Sequence, residues 1–101
     1  MENIGVIGPT SWGTTLAILL ANKKYKTHLI CRSPEEAKLL DTDRENRRFL
    51  PGGYFPSELT IIGSIDMMPT ADLLIFAIPS RTFKENLEVY KNYINHHQPT
   101  I

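Results

Sequence analysis

The sequence predicts an α/β domain built on a doubly wound parallel sheet. Strand-like apolar runs alternate with segments of helical periodicity, which is the pattern of consecutive βαβ units. The first apolar run ends in a glycine-containing turn that leads directly into a helical pattern. A length of 101 residues suits one domain and leaves no room for a second.

Two strand and helix pairs are predicted in the first part of the chain. Residues 3–8 form a short apolar run, and the spacing of apolar residues becomes helical over residues 12–23. Residues 27–31 are rich in β-forming side chains and predict the second strand. In the next turn Ser33 can cap a helix that Pro34 begins and that runs to about Leu40, and Glu36 completes a capping box.

The middle of the chain is less regular. Residues 41–58 are first charged and then rich in Pro and Gly, and we expect a short helix followed by an ordered functional loop. Residues 59–62 and 72–78 predict two further strands. The second of these runs is almost continuously apolar, which is typical of a central strand that helices cover on both faces.

The last part of the chain predicts a turn, a helix and the beginning of another strand. Residues 79–82 break the fourth strand, and residues 99–101 resemble the start of a fifth. Between them, a stripe at helical spacing predicts a helix that carries Phe83, Leu87, Tyr90 and Ile94. The predicted order of the first four strands is 3-2-1-4, and residues 1–101 are expected to form a nucleotide domain that is incomplete at strand five.

Composition argues against several classes of protein. Eleven basic and eleven acidic residues give no net charge and form no long block of one sign, so we expect no nucleic-acid partner. No apolar run approaches the roughly 20 residues of a membrane span, and we expect a cytoplasmic protein. Cys31 is the only cysteine, and the adjacent His96 and His97 cannot chelate one ion together, so no metal site is expected.

The turn after the first strand has the form of a loop that binds a dinucleotide pyrophosphate. The usual pattern is G-x-G-x-x-G, and here it reads Gly8, Thr10 and Gly13. Free N–H groups at the start of the helix can hold an anion at this place, although glycines can also serve packing alone. Thr10 stands where the middle glycine would let the phosphates approach, and threonine disfavours a positive φ that glycine can adopt there. We therefore expect affinities on the order of hundreds of micromolar or weaker, which glycine at position 10 would improve.

The residue at the end of the second strand bears on which dinucleotide is bound. Many dinucleotide proteins have an acidic residue there that binds the ribose hydroxyls, whereas this chain has Arg32. A guanidinium can pair with a 2′-phosphate or stack on adenine, but it cannot accept a hydrogen bond. This position favours NADP, or indifference between NADP and NAD, although Arg32 can also be a solvated arginine beside a helix cap.

Three motifs together resemble those of NAD(P)-dependent glycerol-3-phosphate dehydrogenase. They are Ser11-Trp12-Gly13-Thr14 in the glycine loop, Asn46-x-x-Phe49-Leu50-Pro51-Gly52 after the second helix, and Ile78-Pro79-Ser80 after the fourth strand. The resemblance covers the whole chain and implies a Rossmann domain that binds NADP or NAD. It also implies reversible hydride transfer between the nicotinamide and glycerol 3-phosphate or dihydroxyacetone phosphate, for phospholipid synthesis.

The resemblance also assigns expected roles to individual residues. Ser11 and Trp12 match residues that contact the cofactor from the glycine loop, Arg32 and Ser33 match the adenosine end, and Phe49 matches an aromatic residue that lines the cofactor cleft. The family's catalytic lysine would follow strand five, so no catalytic residue is expected within residues 1–101. A helical C-terminal domain would supply the site for the phosphorylated triose substrate and the dimer contacts of a homo-oligomer.

Two alternatives to this interpretation stay open at the level of the sequence. Another NAD(P)-dependent reductase with the same N-terminal fold would not be expected to carry residues 46–52 in this form. A non-catalytic dinucleotide-binding or interaction module would be compatible with Thr10 and with the missing lysine. The intact Ser11-Trp12-Gly13 and Phe49-Leu50-Pro51-Gly52 segments speak against such a module.

Overall fold

A computed structural model describes residues 3–78 of the chain. The predictions of a turn at residues 79–82, a helix carrying Phe83 to Ile94 and a strand at residues 99–101 lie outside the described residues, as do His96 and His97. The described elements are β1 (Asn3–Ile7), α1 (Ser11–Asn22), β2 (Lys26–Ile30), α2 (Pro34–Asp43), β3 (Glu45–Asn46), β4 (Leu50–Tyr54), β5 (Leu59–Ile62), a single 3-10 turn (Ile65–Met67) and β6 (Leu73–Phe76).

Four of the strands form one parallel sheet in the order β5-β2-β1-β6. In chain order these are the third, second, first and fourth strands of the sheet, so the predicted order is confirmed. The α/β class with a parallel sheet is confirmed as well. Among the described strands β6 pairs with β1, and its predicted central position depends on residues outside the described range.

The two faces of the sheet carry separate apolar clusters, because successive side chains of a strand point to opposite faces. On one face, Ile4, Val6 and Leu29 pack with residues of α1 and α2. On the other face, Ile7 and Ile30 pack with the segment after β5. That segment contributes Ile65, Met68 and Ala71. The apolar character of β1 and β2 on both faces is explained by this double coverage.

The segment between α2 and β5 differs from its prediction. Helix α2 continues through the charged residues to Asp43 and ends at Arg44, whose φ of 52° is left-handed. There is no separate short helix between α2 and β5, and the expected loop is an antiparallel hairpin of β3 and β4. Pro51 is compatible with β4 because a two-stranded ribbon has an outer edge that needs no N–H donor. Residues 45–54 are called the hairpin below.

Arg44 holds the base of the hairpin together. Its backbone carbonyl accepts a hydrogen bond from the N–H of Phe55 at 2.7 Å. Its Nη2 donates to the carbonyl oxygens of Pro56 and Leu59, each at 2.9 Å. The guanidinium also lies 5.6 Å from the centre of the Phe55 ring. These contacts fix both ends of the hairpin against α2 and the start of β5.

Candidate dinucleotide-binding site

The candidate site lies where the carboxyl ends of β1, β2 and β6 meet. The chain runs outward from β1 to β2 and β5 and then returns to the other side of β1 as β6. Open α/β sheets bind their ligands at such a reversal, beyond the carboxyl ends of the strands. The strand ends are joined by hydrogen bonds from Gly8 N to Ile30 O at 3.1 Å and from Ala77 N to Ile7 O at 2.8 Å.

Gly8 and Gly13 allow the loop to lie against the end of β6. Gly8 has a φ of +111°, and a Cβ atom there would be 2.6 Å from the carbonyl oxygen of Ala77. A Cβ atom on Gly13 would collide with the carbonyl oxygen of Gly8 and would lie 2.8 Å from the Ala77 methyl group. Both glycines are thus required by the packing, whatever ligand the loop binds.

Thr10 is the N-cap of α1 and not a strained replacement for glycine. Its φ is −78°, so the expected penalty for a β-branched residue at positive φ does not apply, and that part of our expectation is wrong. Its Oγ1 accepts a hydrogen bond from Gly13 N at 3.0 Å and donates one to the Ala77 carbonyl at 2.9 Å. The hydroxyl therefore faces the protein, where it connects the helix start to β6. A weakening of dinucleotide binding by Thr10 stays a prediction.

The cap determines which N–H groups of α1 are available to an anion. The N–H of Gly13 is bonded to Thr10 Oγ1, and the N–H of Thr14 donates to the Thr10 carbonyl at 2.8 Å. Ser11 and Trp12 are the first two residues of the helix, and their N–H groups have no intrahelical acceptor. Both residues are exposed, Trp12 by 61%. An anion at this end of the helix would therefore meet the N–H groups of Ser11 and Trp12.

The hairpin is attached to the glycine loop by two side chains. Ser11 Oγ donates a hydrogen bond to the carbonyl oxygen of Phe49 at 2.7 Å, which brings two of the sequence-predicted residues together. Asn46 is buried, and its Nδ2 donates to the Pro9 carbonyl at 2.8 Å and to Thr14 Oγ1 at 3.0 Å. Asn46 was visible in the sequence as the first residue of its motif, but no local pattern indicated that its side chain would reach the loop.

Charged groups in the hairpin shape the electrostatics near Phe49. The Arg48 guanidinium lies 5.0 Å from the centre of the Phe49 ring. The Glu45 carboxylate accepts hydrogen bonds from the Gly52 N–H at 3.0 Å and from Arg47 Nε at 3.2 Å. The Gly52 N–H, supported by Arg47 and opposed by burial, lowers the pKa of Glu45 from its usual value. The carboxylate therefore stays charged and keeps the hairpin turn closed.

Arg32 and Ser33 lie at the neighbouring end of β2, and the side chains of both form hydrogen bonds with Glu36. Ser33 Oγ accepts from Glu36 N at 3.1 Å, as the predicted cap requires. The Glu36 carboxylate accepts from the backbone N–H of Arg32 at 2.9 Å and from its guanidinium at 3.1 Å. The capping box is thus shifted by one residue, because Glu36 reaches Arg32 instead of Ser33. The guanidinium that was expected to meet a cofactor is held by a carboxylate.

Two titratable residues, Cys31 at the end of β2 and His28 in its middle, have no catalytic environment. Burial, supported by the charge of Glu36, raises the pKa of the Cys31 thiol to about 12, so it is not a nucleophile at neutral pH. Burial lowers the pKa of His28, which keeps its imidazole neutral, and its Nδ1 has no hydrogen-bond partner among the described residues.

A parallel sheet with a capped glycine loop at its switch point is typical of a dinucleotide-binding domain. The model of one family, NAD-dependent glycerol-3-phosphate dehydrogenase N-terminus, matches residues 3–101. The chain belongs to this family, whose cofactor is NAD or NADP.

Curated relatives and a solved structure agree with this assignment. The chain is 45% identical over 87 residues to glycerol-3-phosphate dehydrogenase [NAD(P)+] from Prosthecochloris aestuarii, covering 85% of this chain and 26% of that protein. It is 37% identical over 94 residues to the enzyme of the same name from Alcanivorax borkumensis, covering 92% and 27%. The crystal structure of glycerol-3-phosphate dehydrogenase from Coxiella burnetii superposes with a TM-score of 0.89 at 26% identity, covering 98% of this chain and 31% of that one.

The chain therefore spans only about a quarter of the length of the curated relatives that it matches, as the values of 26% and 27% show. Within residues 3–78, no helix has the length and apolar character that a bilayer crossing needs.

Removal of the Thr10 hydroxyl is expected to destabilise the domain. Thr10→Ala leaves Gly13 N–H and the Ala77 carbonyl without their partner and should lower the free energy of unfolding by about 1–2 kcal/mol. Thr10→Ser keeps the hydroxyl and should stay within about 0.5 kcal/mol of the parent. Urea unfolding followed by circular dichroism measures both. Equal losses in the two variants would show that the threonine methyl, and not the hydroxyl, matters.

Of the two side chains that attach the hairpin, Asn46 should contribute more to stability. Asn46→Ala leaves two buried acceptors without a donor and should cost about 2 kcal/mol, whereas Ser11→Ala removes one exposed bond and should cost about 0.5 kcal/mol. The free energy of unfolding in urea measures both changes. A loss for Ser11→Ala as large as that for Asn46→Ala would contradict the buried attachment.

The Glu45 carboxylate should make the hairpin sensitive to acid. Its pKa is lower in the folded than in the unfolded chain, so its stabilising contribution is complete above the unfolded pKa and is lost as the pH falls through the folded pKa. The parent should be more stable than Glu45→Gln at about pH 7, and this difference should shrink by about pH 3. Thermal unfolding at a series of pH values tests this, and a difference that does not change with pH would refute it.

Proposed function

We propose that the chain is the dinucleotide-binding part of a glycerol-3-phosphate dehydrogenase. The cofactor would be held by the glycine loop and by residues 47–49, which connect the two strands of the hairpin. The observation that carries the proposal is the Ser11–Phe49 hydrogen bond of 2.7 Å. It joins two of the three motifs of the resemblance at the switch point of the sheet. In this arrangement Gly8, Thr10 and Gly13 shape the loop, and the N–H groups of Ser11 and Trp12 meet the pyrophosphate.

Other residues would contact the remaining parts of the cofactor. Phe49, with the Arg48 guanidinium over its ring, offers an apolar surface beside a positive charge. Arg32 and Ser33 at the end of β2 would meet the adenosine end, where nucleotide-binding sheets place the ribose. The cofactor supplies hydride chemistry when bound, and these residues bind and orient it.

The reaction of the whole protein is a further part of the proposal. Its relatives are glycerol-3-phosphate dehydrogenases, which supports hydride transfer between NAD(P)H and dihydroxyacetone phosphate. A phosphorylated triose would need groups beyond those described here. A cytoplasmic location and assembly into a homo-oligomer are proposed with it.

A charge placed at the exposed start of α1 tests the binding site. Trp12→Glu adds a carboxylate in the first helical turn. This charge interacts favourably with the helix dipole, so the helix is kept, but it repels a pyrophosphate. We expect the dissociation constant for NADH or NADPH to rise by about tenfold or more, which corresponds to about 1.4 kcal/mol. Titration calorimetry on the 101-residue chain measures this, and urea unfolding verifies that the variant folds.

Leu19→Glu is the matched control, because Leu19 is also an exposed apolar residue and lies about two turns further along the same helix. We expect it to change the dissociation constant by less than about twofold. Equal weakening by both variants would mean that the start of α1 is not where the dinucleotide binds. If the parent binds neither cofactor, the proposal is wrong, and a non-binding interaction module becomes the better explanation.

A further inference from the structure

We propose that Glu36 determines the preference between NAD and NADP by holding the Arg32 guanidinium. This inference rests on the proposed function, because it assumes that the end of β2 receives the adenosine ribose. The two cofactors differ only in a phosphate on the 2′ position of that ribose. A residue that controls the charge available at this place therefore controls the choice between them.

The Glu36 carboxylate binds Arg32 at two places, the guanidinium and the backbone N–H. Glu36 Oε2 lies 3.1 Å from Arg32 Nη2, and Glu36 Oε1 accepts the backbone N–H of Arg32 at 2.9 Å. The Arg32 side chain is 65% exposed and that of Glu36 is 25% exposed. The carboxylate is thus the more fixed partner, since the helix and the backbone bond hold it, and the guanidinium is turned back onto α2.

This pairing works against a 2′-phosphate in two ways. Strong recognition of a phosphate by arginine uses two parallel N–H donors, and Glu36 already occupies one terminal nitrogen of Arg32. A phosphate placed beside the pair would also be repelled by the Glu36 charge. NAD has no 2′-phosphate, so it needs no pair of donors from Arg32 and meets no such repulsion from Glu36. Its ribose hydroxyls can donate hydrogen bonds to a carboxylate. Arginine at this position therefore does not by itself indicate NADP.

Glu36 lies close enough to Arg32 and Cys31 to act on the pKa values of both. Its hydrogen bond and charge raise the pKa of Arg32, and its charge adds to the effect of burial on the pKa of Cys31. Glu35 is the adjacent residue in the same first turn of α2, and it is exposed. Among the described residues, Arg32 has its ion pair with Glu36 and not with Glu35.

Glu36→Gln tests the inference with Glu35→Gln as its matched control. Both variants remove one negative charge from the first turn of α2, but only the first releases the Arg32 guanidinium. Glutamine at position 36 can still accept the backbone N–H of Arg32, so the helix start is kept. Titration calorimetry of the 101-residue chain with NAD+ and with NADP+ gives the ratio of the two dissociation constants.

We expect Glu36→Gln to shift this ratio toward NADP+ by about fivefold, and Glu35→Gln to shift it by less than about twofold. In an Arg32→Ala background the effect of Glu36→Gln should disappear. Equal shifts from Glu35→Gln and Glu36→Gln, or a shift that persists without Arg32, would overturn the inference. Binding by the parent with an unchanged ratio in Glu36→Gln would overturn it and leave the proposed function intact. Failure of the parent to bind either cofactor would overturn both.

Discussion

The close approach of the start of α1 to the end of β6 is the constraint on which the rest of the site depends. A Cβ atom at Gly8 or Gly13 would lie 2.6–2.8 Å from atoms of Ala77, so the helix can reach this position only because both residues lack one. Once there, the helix directs its unpaired N–H groups over the carboxyl end of β1. The contact between α1 and the end of β6 therefore requires both glycines, independently of any ligand.

Thr10 shows how a residue that departs from a motif can still be integrated into the fold. The hydroxyl satisfies Gly13 N–H and the Ala77 carbonyl, both of which belong to the same contact. On the opposite side, Asn46 and Ser11 hold the hairpin against the loop. The glycine loop is therefore fixed from the sheet side and from the hairpin side, and such rigidity lowers the entropy lost when a ligand is bound.

The sequence was sufficient for the elements whose signals are local. Apolar periodicity placed β1, α1, β2 and β5 to within a residue or two, and Ser33 and Pro34 marked the start of α2. The hairpin was missed because Pro and Gly disfavour strands on average, and only the outer edge of a ribbon tolerates them. In the candidate site, the roles of Asn46 and Glu36 depend on contacts with Pro9 and Arg32 that residue type alone does not specify. The φ of Thr10 was misjudged for the same reason.

Arg44 closes the hairpin at its base, where residue 55 returns to within 2.7 Å of the carbonyl at which the excursion began. The guanidinium meanwhile fixes the entry to β5 through the carbonyls of Pro56 and Leu59. Everything between these points is an insertion whose ends are already joined, and each doubling in the length of such a segment costs only about 0.6 kcal/mol. Residues of the hairpin other than its attachment points can therefore change in number and type without moving the register of the sheet, whereas Asn46 and the Phe49 carbonyl must keep their places for the hairpin to stay on the glycine loop.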